Sequence, residues 1–154
     1  MLKIVEYKDR YKEKVVDLLV EVILNEFNMN ENVGDIKNFD YNSYKNGGGN
    51  LWLAVDENDN VIATSAIQVN NEKNEAKLVR VYLNKEYRGT GIATEMLNMA
   101  IDFVKSINFN RIILGTYKKL ERAVKFYEKN GFKEISRDNT DDEFAKYYAL
   151  ELKY

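Results

Sequence analysis

The residues whose types and spacing most clearly suggest chemistry form a glycine-rich segment, residues 87–94, which reads YRGTGIAT. The segment follows an apolar run and precedes an amphipathic one, so residues 79–96 are predicted to form a strand, a loop and the start of a helix. Glycines allow successive backbone amides to point at one centre, and a helix N-terminus adds about half a positive charge. We therefore expect this segment to hold the pyrophosphate of a nucleotide cofactor.

The two common nucleotide-binding motifs do not fit this segment. A phosphate loop of the form GxxxxGK[ST] does not occur in the sequence, and a GxGxxG fingerprint fails because Gly89 and Gly91 are followed by Thr94. Three predicted strands also precede the segment, whereas the GxGxxG unit normally opens its fold. From the loop alone, an ordinary strand-to-helix turn remains the alternative.

The composition limits the chemistry that can accompany such a loop. The chain has no cysteine and no histidine, which excludes disulfides, Cys/His zinc sites, thiol nucleophiles and a histidine base. We expect no metal, and acid–base work must come from Asp, Glu, Tyr, Lys, the backbone or water.

The length and the net charge limit the number of domains and the kinds of partner that we expect. A chain of 154 residues suits a single domain covering residues 1–154. The net charge of −2 and the absence of a basic run argue against nucleic acid as a partner. No apolar run has the ~20 residues of a membrane span, and the N-terminus does not resemble a signal peptide, so we expect a cytoplasmic protein without a membrane partner.

The elements that must position the loop follow from hydrophobic periodicity. Strands are predicted at residues 2–7, 51–55, 61–69, 76–83, 111–116, 132–136 and 144–152, with the fourth, apolar on both faces, at the centre. Helices are predicted at residues 9–27, 90–107 and 119–129, the last ending at Asn130-Gly131.

Three local features belong to these elements. Asp9 is expected to cap the first helix, which buries a stripe formed by Tyr11, Val15, Leu18 and Val22. The apolar stripe of the second helix is expected to contain Ile92, Met96, Met99, Phe103 and Ile107. Residues 47–49, three consecutive glycines, are interpreted as a flexible joint.

Three segments of the sequence resemble the GNAT acetyltransferases. Residues 88–93 (RGTGIA) fit the [QR]xxGx[GA] signature of that family, residues 78–83 (LVRVYL) are similar to its cofactor strand, and Ala123 with residues 126–132 (FYEKNGF) is similar to its later segment. Asn25-Glu26-Phe27 and Leu114-Gly115-Thr116 more weakly resemble a bacterial subgroup. The resemblance implies an α/β fold: a mixed, mostly antiparallel sheet with a splayed parallel strand pair and flanking helices.

The same resemblance implies acetyl-CoA as the acyl-donor substrate. It would lie where strands 76–83 and 111–116 splay apart, with the pyrophosphate on the loop and the pantetheine arm along the backbone of the central strand. One of those strand amides would also meet the thioester oxygen as an oxyanion donor. The implied contacts are Val81, Tyr82, Leu83, Arg88, Gly89, Thr90, Gly91, Ile92, Ala93 and Thr94.

An amine would then attack the thioester directly, and Tyr127 matches the family tyrosine that gives a proton to the leaving thiolate. Tyr127 shares a helical face with Leu120 and Val124, so a plain core role is the alternative. Arg88, likewise, has an alternative interpretation as an ordinary surface charge.

The general base departs from the family pattern. The positions where relatives carry a glutamate or an asparagine are Lys77, Gly115 and Leu120 here. Local candidates are Glu26, at the end of the first helix, and Glu75; a water chain or an already neutral amine would also suffice.

The acceptor is expected to be an amine-bearing small molecule or peptide. Trp52, Tyr41 and Tyr44 are candidates for its pocket, with a core role equally open, and the late strand 144–152 is a candidate homodimer interface. Two other functions compete with N-acetyl transfer: a non-catalytic acyl-CoA-binding sensor module, and a nucleotide-binding regulatory domain.

Overall fold

The computed structural model describes residues 1–29, 32–136 and 145–153. The strands are β1 (Lys3–Glu6), β2 (Asn50–Val55), β3 (Val61–Asn70), β4 (Glu75–Leu83), β5 (Arg111–Tyr117), β6 (Lys133–Ile135) and β7 (Ala145–Glu151). The helices are α1 (Lys12–Leu19), which continues as a π-helix (Val20–Glu26), α2 (Val33–Asn38), α3 (Ser43–Asn46), α4 (Ile92–Ser106) and α5 (Glu121–Lys129).

The strands form one sheet in the order β1-β2-β3-β4-β5-β7-β6. Neighbouring strands are antiparallel except for β4 and β5, which are parallel. This confirms the predicted mixed α/β sheet with one parallel pair. The strand predicted to be central, β4, is the middle strand of the sheet.

The parallel pair separates soon after it forms. Within the described chain, β4 and β5 pair only at Ala76↔Ile112 and Lys77↔Ile113. The later residues of β4 therefore have no strand partner on that side, and a cleft opens between the two strands.

An irregularity in β4 lies at the same level as the cleft. Tyr82 pairs with Thr64 and Val79 pairs with Ala66, so β4 carries one more residue than β3 across this interval. This is a β-bulge, and Arg80 within it has a φ of 55°. The bulge shifts the alternation of side chains, so that Val79 and Tyr82 both pack toward the α1–α3 face.

Each face of the sheet carries its own core. On one face α4 buries Ile92, Met96, Leu97, Ala100 and Val104, and α5 packs beside it. The predicted stripe included the first two of these, but Met99, Phe103 and Ile107 are half-buried at its margin. Helix α4 begins at Ile92 rather than at residue 90, because Gly91 has a left-handed φ of 87°.

On the other face, α1 and its π-helical continuation bury the predicted residues Tyr11, Val15, Leu18 and Val22. The capping role predicted for Asp9 is wrong. The helix starts with a 3-10 turn whose N-cap is Lys8, and the Asp9 carboxylate instead accepts a hydrogen bond from Asn42 Nδ2 at 2.8 Å.

One further expectation needs correction. The glycines at 47–49 do not form a flexible joint, because their three backbone amides donate hydrogen bonds to the carbonyl oxygens of Ser43, Lys45 and Tyr44 and form a turn at the end of α3. Strand β7 lies between β5 and β6 in the sheet, and the candidate homodimer interface on this strand stays a prediction. Phe144, the first residue of that prediction, lies outside the described residues.

Among the described residues, no helix has the length and apolar character required to cross a membrane.

Candidate active site

The glycine loop joins β4 to α4 through a 3-10 turn, Lys85–Tyr87. Gly89 and Gly91 have φ values of 82° and 87°, and a Cβ added to either would meet nothing within 4 Å. The Thr90 hydroxyl donates to the carbonyl oxygen of Tyr87 at 2.7 Å, which closes the loop on itself. The open space beside both glycines leaves the first amides of α4 accessible to an anion.

A narrow cleft begins beside this loop and runs along the unpaired part of β4. Its lining brings together Val81, Tyr82 and Leu83 of β4, Ala93 of α4 and Tyr127 of α5. Val81 is 38% exposed, so this part of β4 is open to solvent. The structure thus brings the predicted pantetheine strand, part of the loop helix and the predicted proton donor to one place.

Tyr127 is buried in the wall of this cleft, with 6% of its surface exposed. Its ring packs edge-on against Phe126 and Phe132, with centroid separations of 5.6 Å in both cases. Burial, with a smaller contribution from Tyr82, raises the pKa of Tyr127 well above the ordinary tyrosine value. The phenol therefore keeps its proton through the neutral and mildly alkaline range, as a proton donor requires.

Glu26 and Arg88, which the sequence places far apart, form an ion pair between Oε2 and Nη2. The two side chains are only 18% and 24% exposed, respectively. The ion pair thereby connects the end of the π-helix to the glycine-rich segment. The contact is inconsistent with Arg88 as an ordinary surface charge.

The positions of the missing family glutamates also have a structural explanation. At Gly115, a Cβ would lie 3.0 Å from Cε1 of Tyr147, so the tyrosine ring occupies the space of any larger side chain. Glu75 is the first residue of β4, and seven residues of strand place it about 20 Å from Tyr82. This geometry argues against Glu75 as the base.

The aromatic candidates separate into two groups. Trp52 packs against Phe103 with a centroid separation of 5.2 Å and belongs to the α4 core. Tyr41 and Tyr44 are buried on the opposite face, next to Phe39.

The sequence did not single out Arg80, which lies against this second aromatic group. Its Nε donates to Tyr44 Oη at 3.1 Å, and its guanidinium carbon lies 4.8 Å from the centroid of the Phe39 ring. Burial lowers the pKa of Arg80, but the neighbouring tyrosines Tyr44, Tyr82 and Tyr41 raise it more, so the net pKa shift is upward. No local pattern marks this residue, since an arginine within a strand normally indicates an exposed side chain.

Among the residues that the structure describes, no cluster of three or more acidic side chains is arranged to hold a metal ion.

A splayed parallel pair, a bulged central strand and a glycine loop opening a helix define an acyltransferase fold with an anion-binding loop. The chain belongs to the acetyltransferase (GNAT) family, whose family model matches residues 17–132. This confirms the resemblance on which the fold, the N-acetyltransferase class and the acetyl-CoA substrate were predicted.

Individual relatives agree with this assignment. A GNAT-family acetyltransferase from Staphylococcus aureus Mu50 is 31% identical with a TM-score of 0.88, covering 99% of this chain and 100% of that one. The PaiA N-acetyltransferase from Thermoplasma acidophilum, solved with coenzyme A, has the same fold, with a TM-score of 0.81, 17% identity and coverage of 98% and 99%.

Among curated proteins, human N-acetylaspartate synthetase is 28% identical over 125 residues, which cover 81% of this chain. The match spans only 38% of the length of that relative.

Proposed function

We propose that this chain is a single N-acetyltransferase domain that moves the acetyl group of acetyl-CoA to an amine by direct attack on the thioester. The observation that carries the proposal is the convergence of the glycine loop, the unpaired edge of β4 and Tyr127 on one cleft. The absence of cysteine and histidine from the sequence supports direct attack, because the chain has no thiol nucleophile and no histidine to activate a hydroxyl for an acetyl-enzyme.

The loop supplies the binding site for the donor. The amides of residues 89–94 and the Arg88 guanidinium take the pyrophosphate, and the backbone of Val81, Tyr82 and Leu83, along the edge of β4 that faces away from β3, pairs with the pantetheine arm. This is the β-strand-like use of a free sheet edge. One of those amides would also donate to the thioester oxygen as negative charge develops.

Few side chains take part in the acetyl-transfer step itself. The amine nitrogen bonds to the carbonyl carbon, the carbon–sulfur bond breaks, and the nitrogen loses its extra proton to water or a base. Tyr127 gives its proton to the leaving thiolate, and the phenolate is reprotonated from solvent. The products are the acetylated amine and CoA with a free thiol.

Glu26 has two competing roles in this scheme. As the general base it would take the proton of the amine; as a positioning residue it would hold Arg88 toward the pyrophosphate. The ion pair favours the positioning role, because the carboxylate is already engaged by the guanidinium.

The acceptor is an amine, and the name of N-acetylaspartate synthetase supports including amino acids among the candidates. A cytoplasmic location is part of the same proposal, and cell fractionation with an antibody to the chain tests it.

The test of the function is release of free CoA thiol from acetyl-CoA across a panel of amino acids, polyamines, aminoglycosides and peptides, with the acetylated product identified by mass spectrometry. Amine-dependent thiol release is the expected result. Tight acetyl-CoA binding without release for any amine would instead support the sensor module. Displacement of acetyl-CoA by ATP at equal affinity would support the nucleotide-binding domain.

A further inference from the structure

Arg80 is a half-buried cation whose partners in the described part of the chain are aromatic rather than acidic. A guanidinium has five N–H donors, and the hydrogen bond recorded from this one leaves Nε for Tyr44 Oη. None of the ion pairs among the described residues includes Arg80. Among the residues that the structure describes, neither terminal nitrogen has a recorded hydrogen-bond or ion-pair partner.

The aromatic neighbours orient the guanidinium without neutralising it. The guanidinium carbon lies over the Phe39 ring, 4.8 Å from its centroid, and the hydroxyl of Tyr44 accepts a hydrogen bond from Nε. A cation withdrawn from water is normally paired with an anion, because desolvation is costly. A planar fork held from one side is suited to a carboxylate, which it binds with two parallel hydrogen bonds.

The backbone of Arg80 joins this cation to the cleft. The carbonyl oxygen of Arg80 accepts a hydrogen bond from the Thr64 hydroxyl at 2.7 Å, and both Thr64 and Tyr82 line the cleft. The φ of 55° is unusual for a residue with a side chain and carries a conformational cost. The strained bulge sends the guanidinium to the α1–α3 face, opposite the face on which Tyr127 and α4 lie.

We propose that Arg80 binds a carboxylate of the acceptor, so that the acceptor is an amine that also carries a carboxylate, of the α-amino-acid class. This inference rests on the proposed acetyl transfer and adds the substrate class to it. The carboxylate anchors the acceptor on the α1–α3 face, and its amine reaches the thioester through the gap between β4 and β5. Polyamines and other purely cationic acceptors are disfavoured, because Arg80 repels them.

The test compares an amino acid with its carboxamide, which keeps the amine and the side chain and removes the negative charge. For the wild-type protein, kcat/KM is expected to favour the amino acid by about 100-fold, as for a site built to bind a charged group. In R80M the ratio should fall to near one. In R80K it should be intermediate, because lysine keeps the charge and loses the fork.

The ratio of the kcat/KM values for the amino acid and its carboxamide does not depend on how much of a variant is folded. If Arg80 had a purely structural role, its substitution would lower both kcat/KM values and leave their ratio unchanged. Arg10→Met is the matched control: Arg10 is exposed, pairs with Asp59, and should leave the ratio at the wild-type value. If R80M does not fold, the intermediate ratio of R80K carries the test.

Calorimetry of amino-acid binding to the CoA-loaded protein separates this inference from the proposed function. Carboxylate-dependent binding that disappears in R80M supports the Arg80 site even if no amine is acetylated, in which case only the proposed function fails. Efficient acetylation with equal kcat/KM for the amino acid and its carboxamide overturns the Arg80 site and leaves the proposed function intact.

Discussion

Tyr127 is the single residue whose substitution tests the proposed catalysis most sharply. Tyr127→Phe removes the proton donor while keeping the ring packing on Phe126 and Phe132, so kcat should fall by about 100-fold or more with unchanged acetyl-CoA affinity. Tyr148→Phe is the matched control, because Tyr148 is fully buried and donates to Glu128 Oε2 at 3.1 Å. The control should lose about 1 kcal/mol of stability and keep its kcat. Equal kcat for wild type and Tyr127→Phe would contradict the role.

The raised pKa of Tyr127 also sets a pH dependence. The neutral fraction of the acceptor amine grows with pH, and the donor phenol stays protonated because its pKa lies above the ordinary value of about 10. The profile of kcat should therefore rise and then level off, without a falling limb below about pH 10. Stopped-flow thiol release would show this, and a fall between pH 8 and pH 9 would require a different proton donor.

Substitution of Glu26 gives a second test that concerns a single residue. If it positions Arg88, Glu26→Gln should weaken acetyl-CoA binding several-fold, because the amide no longer anchors the guanidinium, and the pH–rate profile should keep its shape. Loss of the acidic limb with unchanged acetyl-CoA affinity would instead identify Glu26 as the base. Calorimetry and a pH series on one variant distinguish the two.

At the scale of elements, the loop prediction concerns backbone conformation. Gly91→Ala forces a side chain into a left-handed residue at the start of α4, which costs roughly 1 kcal/mol and also disturbs the amides that face the pyrophosphate. Gly131→Ala imposes a comparable φ, 92°, at the end of α5. Both variants should lose similar stability in urea unfolding, and Gly91→Ala alone should lose acetyl-CoA affinity. Equal affinities would place the pyrophosphate elsewhere.

The elements also show what a sequence can predict. The loop, α4 and α5 are local features with strong periodicity and turn residues, so their positions were confirmed within about two residues. The sequence does not predict the bulge at Arg80, because a bulge is defined by how the residues of β4 pair with those of β3. The Glu26–Arg88 ion pair and the ring of Tyr147 over Gly115 were missed for the same reason: each joins residues distant in the chain, and only the sheet order brings them together.

For the whole molecule, donor binding should couple to stability. A ligand that binds only the folded state stabilises it by about 2.7 kcal/mol at 100 times its Kd. In a chain of this length that corresponds to a rise in Tm of roughly 5–10 °C. Thermal unfolding with acetyl-CoA should show this shift, and ATP at the same concentration should not. An equal shift with ATP would indicate a site without selectivity for the pantetheine arm.

The acetyl thioester is proposed to lie in the gap between β4 and β5, and a crystal structure of the chain with acetyl-CoA tests this position directly. We predict the pyrophosphate on the amides of residues 89–94, and the thioester oxygen about 3 Å from an amide among Val81, Tyr82 and Leu83. The sulfur should face the Tyr127 hydroxyl. A thioester outside the gap between the two strands, or a pyrophosphate away from the glycine loop, would contradict the account.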